Sequence, residues 1–286
     1  MIMMRVSVTG GSGLLGRRLV RFLRESGYGV LSHSRGPDTD LRGDLVDPRE
    51  AERLLHEALP QAIVHLVSLT NVDDCERDPD RAFRYNVRTV ENLAAAMKAH
   101  RPAPHLVLIS TDQVYDAPGA NLEDAVVLRN TYALTKFWAE RVALEVNATV
   151  LRTNFFGKSD TPGRKSLSDW IIERAVAHAD ITLFTDVRFS PLSVETLCAA
   201  IRRVLEWPQP GVFNAGSRQG MSKRDFAHLL ARRLQLDLDR ARDVTTDYLP
   251  LPARRPHNMI MDSQRFEKTF EFTMPTLEHE IQTAEV

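Results

Sequence analysis

Two residues four apart, in Tyr132-Ala133-Leu134-Thr135-Lys136, carry side chains that can move a proton. On a helix, positions i and i+4 share a face. A neighbouring ammonium favours the phenolate, so Lys136 is expected to draw the Tyr132 pKa towards neutrality. Tyr132 would then give a proton to a carbonyl oxygen while hydride arrives at the carbon. Such a pair means little alone. Its weight comes from what precedes it. Ser110-Thr111 closes a strand-like run, where the Thr111 hydroxyl can hold a substrate carbonyl; read by itself, Thr111 is equally a turn cap. Far upstream lies Thr9-Gly10-Gly11-Ser12-Gly13-Leu14-Leu15-Gly16. There Gly10 suits a tight turn, Gly13 a close approach of backbone to phosphate, and Gly16 close packing of helix on strand. The free N–H groups of the helix that follows can hold a pyrophosphate. The spacing is G-x-x-G-x-x-G after a strand, and Ser12, Leu14 and Leu15 join the glycines as expected dinucleotide contacts.

The end of the second strand selects the dinucleotide. An acid there holds the ribose 2′-OH of NAD. This chain has Ser32-His33-Ser34-Arg35 instead. Ser34 and Arg35 suit a 2′-phosphate, with Arg35 forming a charge-assisted pair, and the expected cofactor is NADPH. Asp44, followed by Leu45, can accept a hydrogen bond from the adenine, and reads equally well as a turn residue. Leu66, Val67 and Ser68 follow the next strand and should wall the cofactor site with Ser110.

The elements that must position these groups alternate. Strand-like runs at 5–8, 29–32, 62–66, 105–110 and 149–152 are separated by helical periodicity at 14–25, 49–59, 82–100 and 131–146. This β-α-β rhythm predicts a doubly wound α/β parallel sheet, whose ligands bind beyond the carboxyl ends of the strands. After Asn154 the rhythm loosens. A polar Gly/Pro-containing loop is expected at 157–166. Helices are expected at 167–179, 194–206 and 223–234, with short strands near 181–184 and 212–214 and an extended Pro-rich stretch at 249–256. The expected division is a dinucleotide-binding domain over 1–155 and mainly a smaller substrate lobe over 156–286, with segments returning to the sheet.

Composition sets outer bounds. A net charge of -1 gives no reason to expect nucleic acid or an acidic membrane as partner. Cys75 and Cys198 are too few for a disulfide framework and lack metal-ligand spacing, which fits a reducing cytoplasm. No metal site is expected. The apolar start runs too soon into the glycine turn to be a secretory leader.

Taken together, TGGSGLLG, STD closing the fourth strand, YALTK and LRTNFFG resemble an extended short-chain dehydrogenase/reductase of Rossmann type, and more closely the dTDP-4-dehydrorhamnose reductase family. Val72-Asp73-Asp74-Cys75-Glu76 with Asn86, Ser110 through Tyr115, Asp186 through Pro191, and Arg255-Pro256-His257-Asn258 each resemble a segment of that family. The resemblance implies a catalytic triad of Thr111, Tyr132 and Lys136, with Asn86 supporting the lysine through backbone or water. It places Arg152 and Asn154 near nicotinamide and substrate. The sugar side is expected at Gln113, Phe155, Phe156, Arg188, Arg255 and Asn258. Gln113 stands where related dehydratases carry Glu; an amide cannot move the proton that elimination requires. Leu69 stands where many reductases carry His. The implied reaction is reduction of a nucleotide-activated 4-keto-deoxysugar, dTDP-4-dehydro-L-rhamnose foremost, in a monomer or homodimer. The same branch resembles the regulatory subunit of methionine adenosyltransferase, and the superfamily includes sugar epimerases; both remain alternatives.

Overall fold

The computed structural model describes residues 3–286. Its centre is a seven-stranded parallel sheet: β1 (Arg5–Thr9), β2 (Gly29–Ser34), β3 (Leu41–Arg42), β4 (Ala62–His65), β5 (His105–Thr111), β6 (Thr149–Thr153) and β7 (Gly211–Ala215). The spatial order is β7-β6-β5-β4-β1-β2-β3, with every pairing parallel. The order reverses at β1 and β4, which leaves a crevice at their carboxyl ends.

Helices cover both faces because the strands are apolar on both. On one side α1 (Leu14–Glu25) and α8 (Val194–Glu206) bury Leu15, Leu19, Leu23, Leu197 and Ile201 against Val6, Val8 and Ile109. The leucines of α1 recur every four residues, one face of an α-helix. On the other side α2 (Pro48–Ala58), α5 (Thr89–Ala99) and α6 (Thr131–Leu144) cover Ile63, Leu106 and Leu108. Helix α2 starts where Asp47 accepts from the Arg49 N–H and Pro48 takes the first turn, whose missing N–H costs nothing there. It ends at Leu59 in the left-handed region.

The expected helix over 82–100 is helical as far as Ala99 but changes pitch on the way. Helix α3 (Val72–Arg77) and helix α4 (Pro79–Phe83) are followed by a π-helical turn, Arg84–Arg88, before α5. Pro79 starts a new helix instead of continuing α3, and Asp78 caps it through the Arg81 N–H. The π turn widens the spiral and coincides with Asn86 being buried, a feature that periodicity does not encode.

The later chain builds a second apolar cluster from Phe156, Phe189, Phe226, Leu230, Leu277 and Ile281, supported by α7 (Leu167–Val176), α9 (Lys223–Arg233) and α11 (Leu277–Thr283). The stretch expected as a strand near 212–214 is β7, the edge of the main sheet, and α8 packs under that sheet. Helix α10 (Gln264–Phe270) also packs there, through Phe266 and Phe270 on Phe213. The loop at 157–166 has no regular structure, and Asp160 ties it to Arg18 at 3.4 Å and Arg21 at 3.1 Å. Among the described residues, no helix is long and apolar enough to cross a membrane.

Candidate active site

A cleft of about 780 Å³ opens at the carboxyl ends of β1, β4 and β5. Its first wall is the glycine turn. Gly10 sits at φ +74°, and a side chain there would press on the Leu66–Val67 backbone. A Cβ on Gly16 would lie 2.2 Å from the Gly10 carbonyl oxygen, an impossible contact, so only glycine lets α1 start this close to β1. The first residue before α1, Gly13, offers no side-chain cap. Backbone N–H groups at the start of α1 therefore face a cleft lined by Gly13, Leu14, Leu15 and Gly16. Uncapped N–H groups and the helix dipole fit a pyrophosphate, and no acidic residue in the first turn opposes it.

The ribose end lies beyond β2. Ser34 accepts from the Gly36 N–H at 3.1 Å. The Arg35 guanidinium lies 4.7 Å over the Tyr85 ring and donates to the Tyr85 hydroxyl at 2.7 Å. Asp44 accepts from the Val46 N–H at 3.1 Å, the turn reading of that residue. The Leu45 side chain is buried in the core beneath α2, so it cannot touch a ligand. Val67 packs on the same core, while Leu66 and Ser68 line the cleft.

The far wall carries the acid–base groups. Asn130 caps α6 through the Ala133 N–H at 2.8 Å. This fixes the first turn, and with it Tyr132 and Lys136. The Tyr132 phenol lies within hydrogen-bonding reach of Thr111 and Ser68. Burial raises its pKa, and those two hydroxyls oppose the rise only in part. The expected drop towards neutrality is corrected here. Lys136 donates to the Ile109 carbonyl at 2.7 Å, and burial lowers its own pKa to about 8 against the pull of Glu140. Desolvation acts on both members of the pair and favours the neutral form of each.

Asp112 follows Thr111 into the cleft. It is buried, accepts from Asn154 Nδ2 at 2.7 Å and faces the Thr111 hydroxyl at 3.4 Å. Burial raises its pKa to about 6. Sequence reasoning placed Asp112 inside a motif and gave it no task.

Asn86 spends its own hydrogen bonds on the segment after β4 and on α6, not on Lys136. It accepts from Ser68 Oγ at 2.9 Å and the Leu69 N–H at 2.7 Å, and donates to Thr135 Oγ1 at 3.0 Å. It ties the segment after β4 to α6. Arg152 is a correction of a different kind. It is sealed in the interior, donating to both Glu140 oxygens, to the Tyr115 hydroxyl at 2.7 Å and to the Glu123 carbonyl at 2.6 Å. All three guanidinium nitrogens have protein partners, and the side chain does not line the cleft. Ser110, expected beside the cofactor, lines the cleft and also donates to Glu140.

A second cavity of about 310 Å³ shares Asn71, Val72 and Gln113 with the cleft and is closed by Val187, Lys223, Arg255 and Met259. Arg255 pairs with Asp73 at 2.7 Å. Phe155 lines the cleft. The other expected sugar contacts do not converge. Phe156 packs on Phe226 in the core, with ring centres 4.9 Å apart. Asn258 donates to the Ala117 and Gly119 carbonyls, each at 2.6 Å, and so staples a loop. Arg188 has an exposed side chain, because strand alternation turns Phe189 inward. Lys223 was missed. It opens α9 next to its cap Ser222, a position that carries no local signal for contact with the end of β5. Arg164 and Lys165, from the Gly/Pro loop, also line the cleft and were missed. Among the described residues, no cluster of His, Cys, Asp or Glu could hold a metal ion.

A profile of the RmlD substrate binding domain family matches residues 4–285. The chain belongs to that family. It is 31% identical to a probable dTDP-4,6-dihydroxy-2-methyloxan-3-one 4-ketoreductase of Streptomyces antibioticus, covering 93% of this chain and 89% of that one. It is 28% identical to methionine adenosyltransferase 2 subunit beta of Pongo abelii, covering 92% and 81%. Its fold matches a crystal structure of dTDP-4-dehydrorhamnose reductase from Bacillus anthracis in complex with NADP, with TM-score 0.88, 22% identity and 98% of each chain covered. The family read from the motifs, and the Rossmann-type sheet it implied, are both borne out.

Proposed function

We propose that this chain is an NADPH-dependent reductase of a 4-keto group on a nucleotide-activated deoxysugar, with dTDP-4-dehydro-L-rhamnose the first candidate substrate. One observation carries the reading. Tyr132, Thr111, Ser68 and Lys136 share the wall of a cleft that begins at the uncapped start of α1. Sugar-nucleotide ketoreductases among the relatives support the substrate class.

NADPH, when bound, supplies the hydride. The chain supplies the rest. The start of α1 holds the pyrophosphate, and Ser12, Ser34 and Arg35 meet the 2′-phosphate. Lys136 keeps ammonium hydrogens beyond the one given to Ile109, and these hold the nicotinamide ribose. Thr111 holds the carbonyl oxygen. Tyr132, kept protonated by burial, gives its proton to the oxygen as negative charge develops there. Gln113, at the junction of the two cavities, contacts the sugar, and Arg255 lies towards the nucleotide diphosphate.

The subunit beta relative keeps open a second reading, in which the chain binds a partner and does no chemistry. The complete Thr-Tyr-Lys set at the cleft favours catalysis. Purified protein should oxidise NADPH in the presence of a dTDP-4-keto-6-deoxysugar. Tyr132→Phe should lower kcat by about 10²–10⁴-fold, the usual contribution of a general acid, and leave NADPH affinity unchanged. Inactivity across a panel of such sugars, with tight NADPH binding and a stable complex with another enzyme, would establish the regulatory reading. An epimerase would act on a sugar without net NADPH consumption.

A further inference from the structure

The pyrophosphate of a dinucleotide is a double anion, and the start of a helix sets only about half a unit charge against it. The turn after β1 adds no cation of its own, since Thr9 to Gly16 contains none. Arg17 and Arg18 follow at once, but neither lines the cleft and both are engaged by acids. Arg17 pairs with Asp38 at 2.9 Å, and Arg18 pairs with Glu285 at 2.9 Å and Asp160 at 3.4 Å. Among the described residues, the cations that do line the cleft are Arg81, Lys136, Arg164 and Lys165. Arg81 stands beside Cys75, in the cluster that holds Tyr132. Lys136 is bound to the Ile109 carbonyl on the same far wall. Lys165 pairs with Glu173. Arg164 remains, and its guanidinium has no protein partner among the described residues.

We propose that Arg164 is the counter-charge of the cofactor's pyrophosphate, carried to it by the 157–166 loop acting as a strap across the glycine turn. The proposal rests on the cofactor site of the reading above and not on its chemistry. The loop is tied at its ends and in its middle. Gly157 starts it at φ +139°, which favours glycine, and its N–H donates to Ser168 Oγ at 3.0 Å. Ser166 ends it as the cap of α7. Asp160 holds the middle to α1 through Arg18 and through Arg21 at 3.1 Å. Next to it, Thr161 Oγ1 donates to the Ser12 carbonyl at 3.5 Å, so the loop crosses the glycine turn itself. The chain then reverses through Gly163, at φ +71°, and the Arg164 N–H returns to the Thr161 carbonyl at 3.1 Å. This reversal keeps Arg164 beside the start of α1. A guanidinium presents forked donors that match two phosphate oxygens, and it stays charged at any working pH. The cofactor then lies between α1 on one side and the strap on the other.

Binding can be measured without any sugar. Arg164→Ala should weaken NADPH and NADH alike, by about 10-fold, the lower end for a hydrogen bond to a charged group. ADP-ribose should lose as much, whereas 2′-AMP, which has no pyrophosphate, should bind as before. The loss should shrink as salt is raised, because Arg164 is exposed, and Arg164→Lys should keep part of the affinity. Unchanged affinity for both dinucleotides would overturn the contact. A loss confined to NADPH would overturn it too, since Arg164 would then serve the 2′-phosphate beside Arg35. Asp160→Asn separates the strap from bare charge. It removes a negative charge near the pyrophosphate, so the field alone predicts tighter binding. It also unties the loop from Arg18 and Arg21, so the strap predicts NADPH release several-fold faster by stopped-flow fluorescence. Release that is unchanged or slower would overturn the strap. No keto-sugar enters these measurements, so a protein inactive on every such sugar would lose the reductase reading while dinucleotide binding still decided this one.

Discussion

Two buried cations stand on either side of Glu140, and they have opposite fates. Lys136, one turn before Glu140 on α6, has the Ile109 carbonyl as its hydrogen-bond partner and opens on the cleft. Arg152, on β6, has Glu140, Tyr115 and Glu123 around it and does not line the cleft. Both are nearly fully buried, at 4% and 2% exposed. Burial lowers the Lys136 pKa to about 8, whereas the carboxylate beside Arg152 outweighs burial and keeps it charged. The difference teaches how to read a buried charge. One whose nitrogens are all engaged by protein partners away from the cleft belongs to the framework. One with donors to spare at the wall of a cleft is held ready for a ligand.

Breaking the sealed side should cost the most. Arg152→Met leaves the Glu140 carboxylate buried with Ser110 as its remaining partner. Removing one member of a buried pair costs about 3–5 kcal/mol, which urea denaturation at neutral pH should show. Replacing both, as Glu140→Leu with Arg152→Met, should recover most of that loss, because the stranded charge is gone. A single variant as stable as the starting protein would show that Glu140 finds another partner, and that Arg152 is not what holds it.

Lys136→Met tests the open side and should have the opposite sign in stability. The folded pKa of about 8 lies below the unfolded value of 10.5, so folding favours the neutral amine. The stability contributed by this group is present above pH 10.5 and is lost as pH falls through 8. At pH 7 the charged amine therefore weighs against folding by about 3 kcal/mol, at 1.36 kcal/mol per pKa unit. The cofactor-free variant should be more stable at pH 7, by an amount reduced by the lost bond to Ile109, and the gain should shrink between pH 8 and 10.5. Its kcat and NADPH affinity should fall together. A variant less stable at pH 7 than at pH 10, relative to the starting protein, would mean that Lys136 is paired like Arg152.

Most of the framework was legible in the sequence, because it rests on local chemistry. The α1 bounds, the β5 run and the glycine turn follow from apolar periodicity and from conformations that only glycine allows. Thr111, Tyr132 and Lys136 were legible for the same reason: a strand end and a helix start place them without knowledge of the rest. Arg152 was misplaced, since it lies two residues from Asn154, which does line the cleft, and strand alternation alone cannot say where Glu140 will be. Phe156, Arg188 and Asn258 failed likewise. They sit on two-residue strands whose register is set by partners distant in the chain. Lys223 and Asp112 were invisible as a pair, because 111 residues separate them and neither breaks a local rule. The π turn at Asn86 has no periodic signature at all.

A third cation, Arg35, lies between the two extremes, and it should give the smallest effect. It is 59% exposed, yet it is not free: Tyr85 holds it by stacking and by its hydroxyl, and the Asp44 carboxylate is 4.0 Å from Nη1. Those contacts fix the plane of the guanidinium while Nη2 keeps its hydrogens for an oxyanion. With no acid at Ser32 or Ser34 to repel it, a 2′-phosphate would meet a donor already in place. Arg35→Ala should weaken NADPH by about 1–3 kcal/mol, the scale of a charged hydrogen bond, and leave NADH binding nearly as it was. Because the site is open to water, the loss should shrink as salt is raised, over the range where the screening length falls below about 10 Å. Tyr85→Phe keeps the stacked ring and removes the hydroxyl, so it should reproduce a smaller part of the same preference. Equal weakening of NADPH and NADH by Arg35→Ala would show that the guanidinium serves the adenine face. The phosphate preference would then have to come from Ser12 and Ser34 alone.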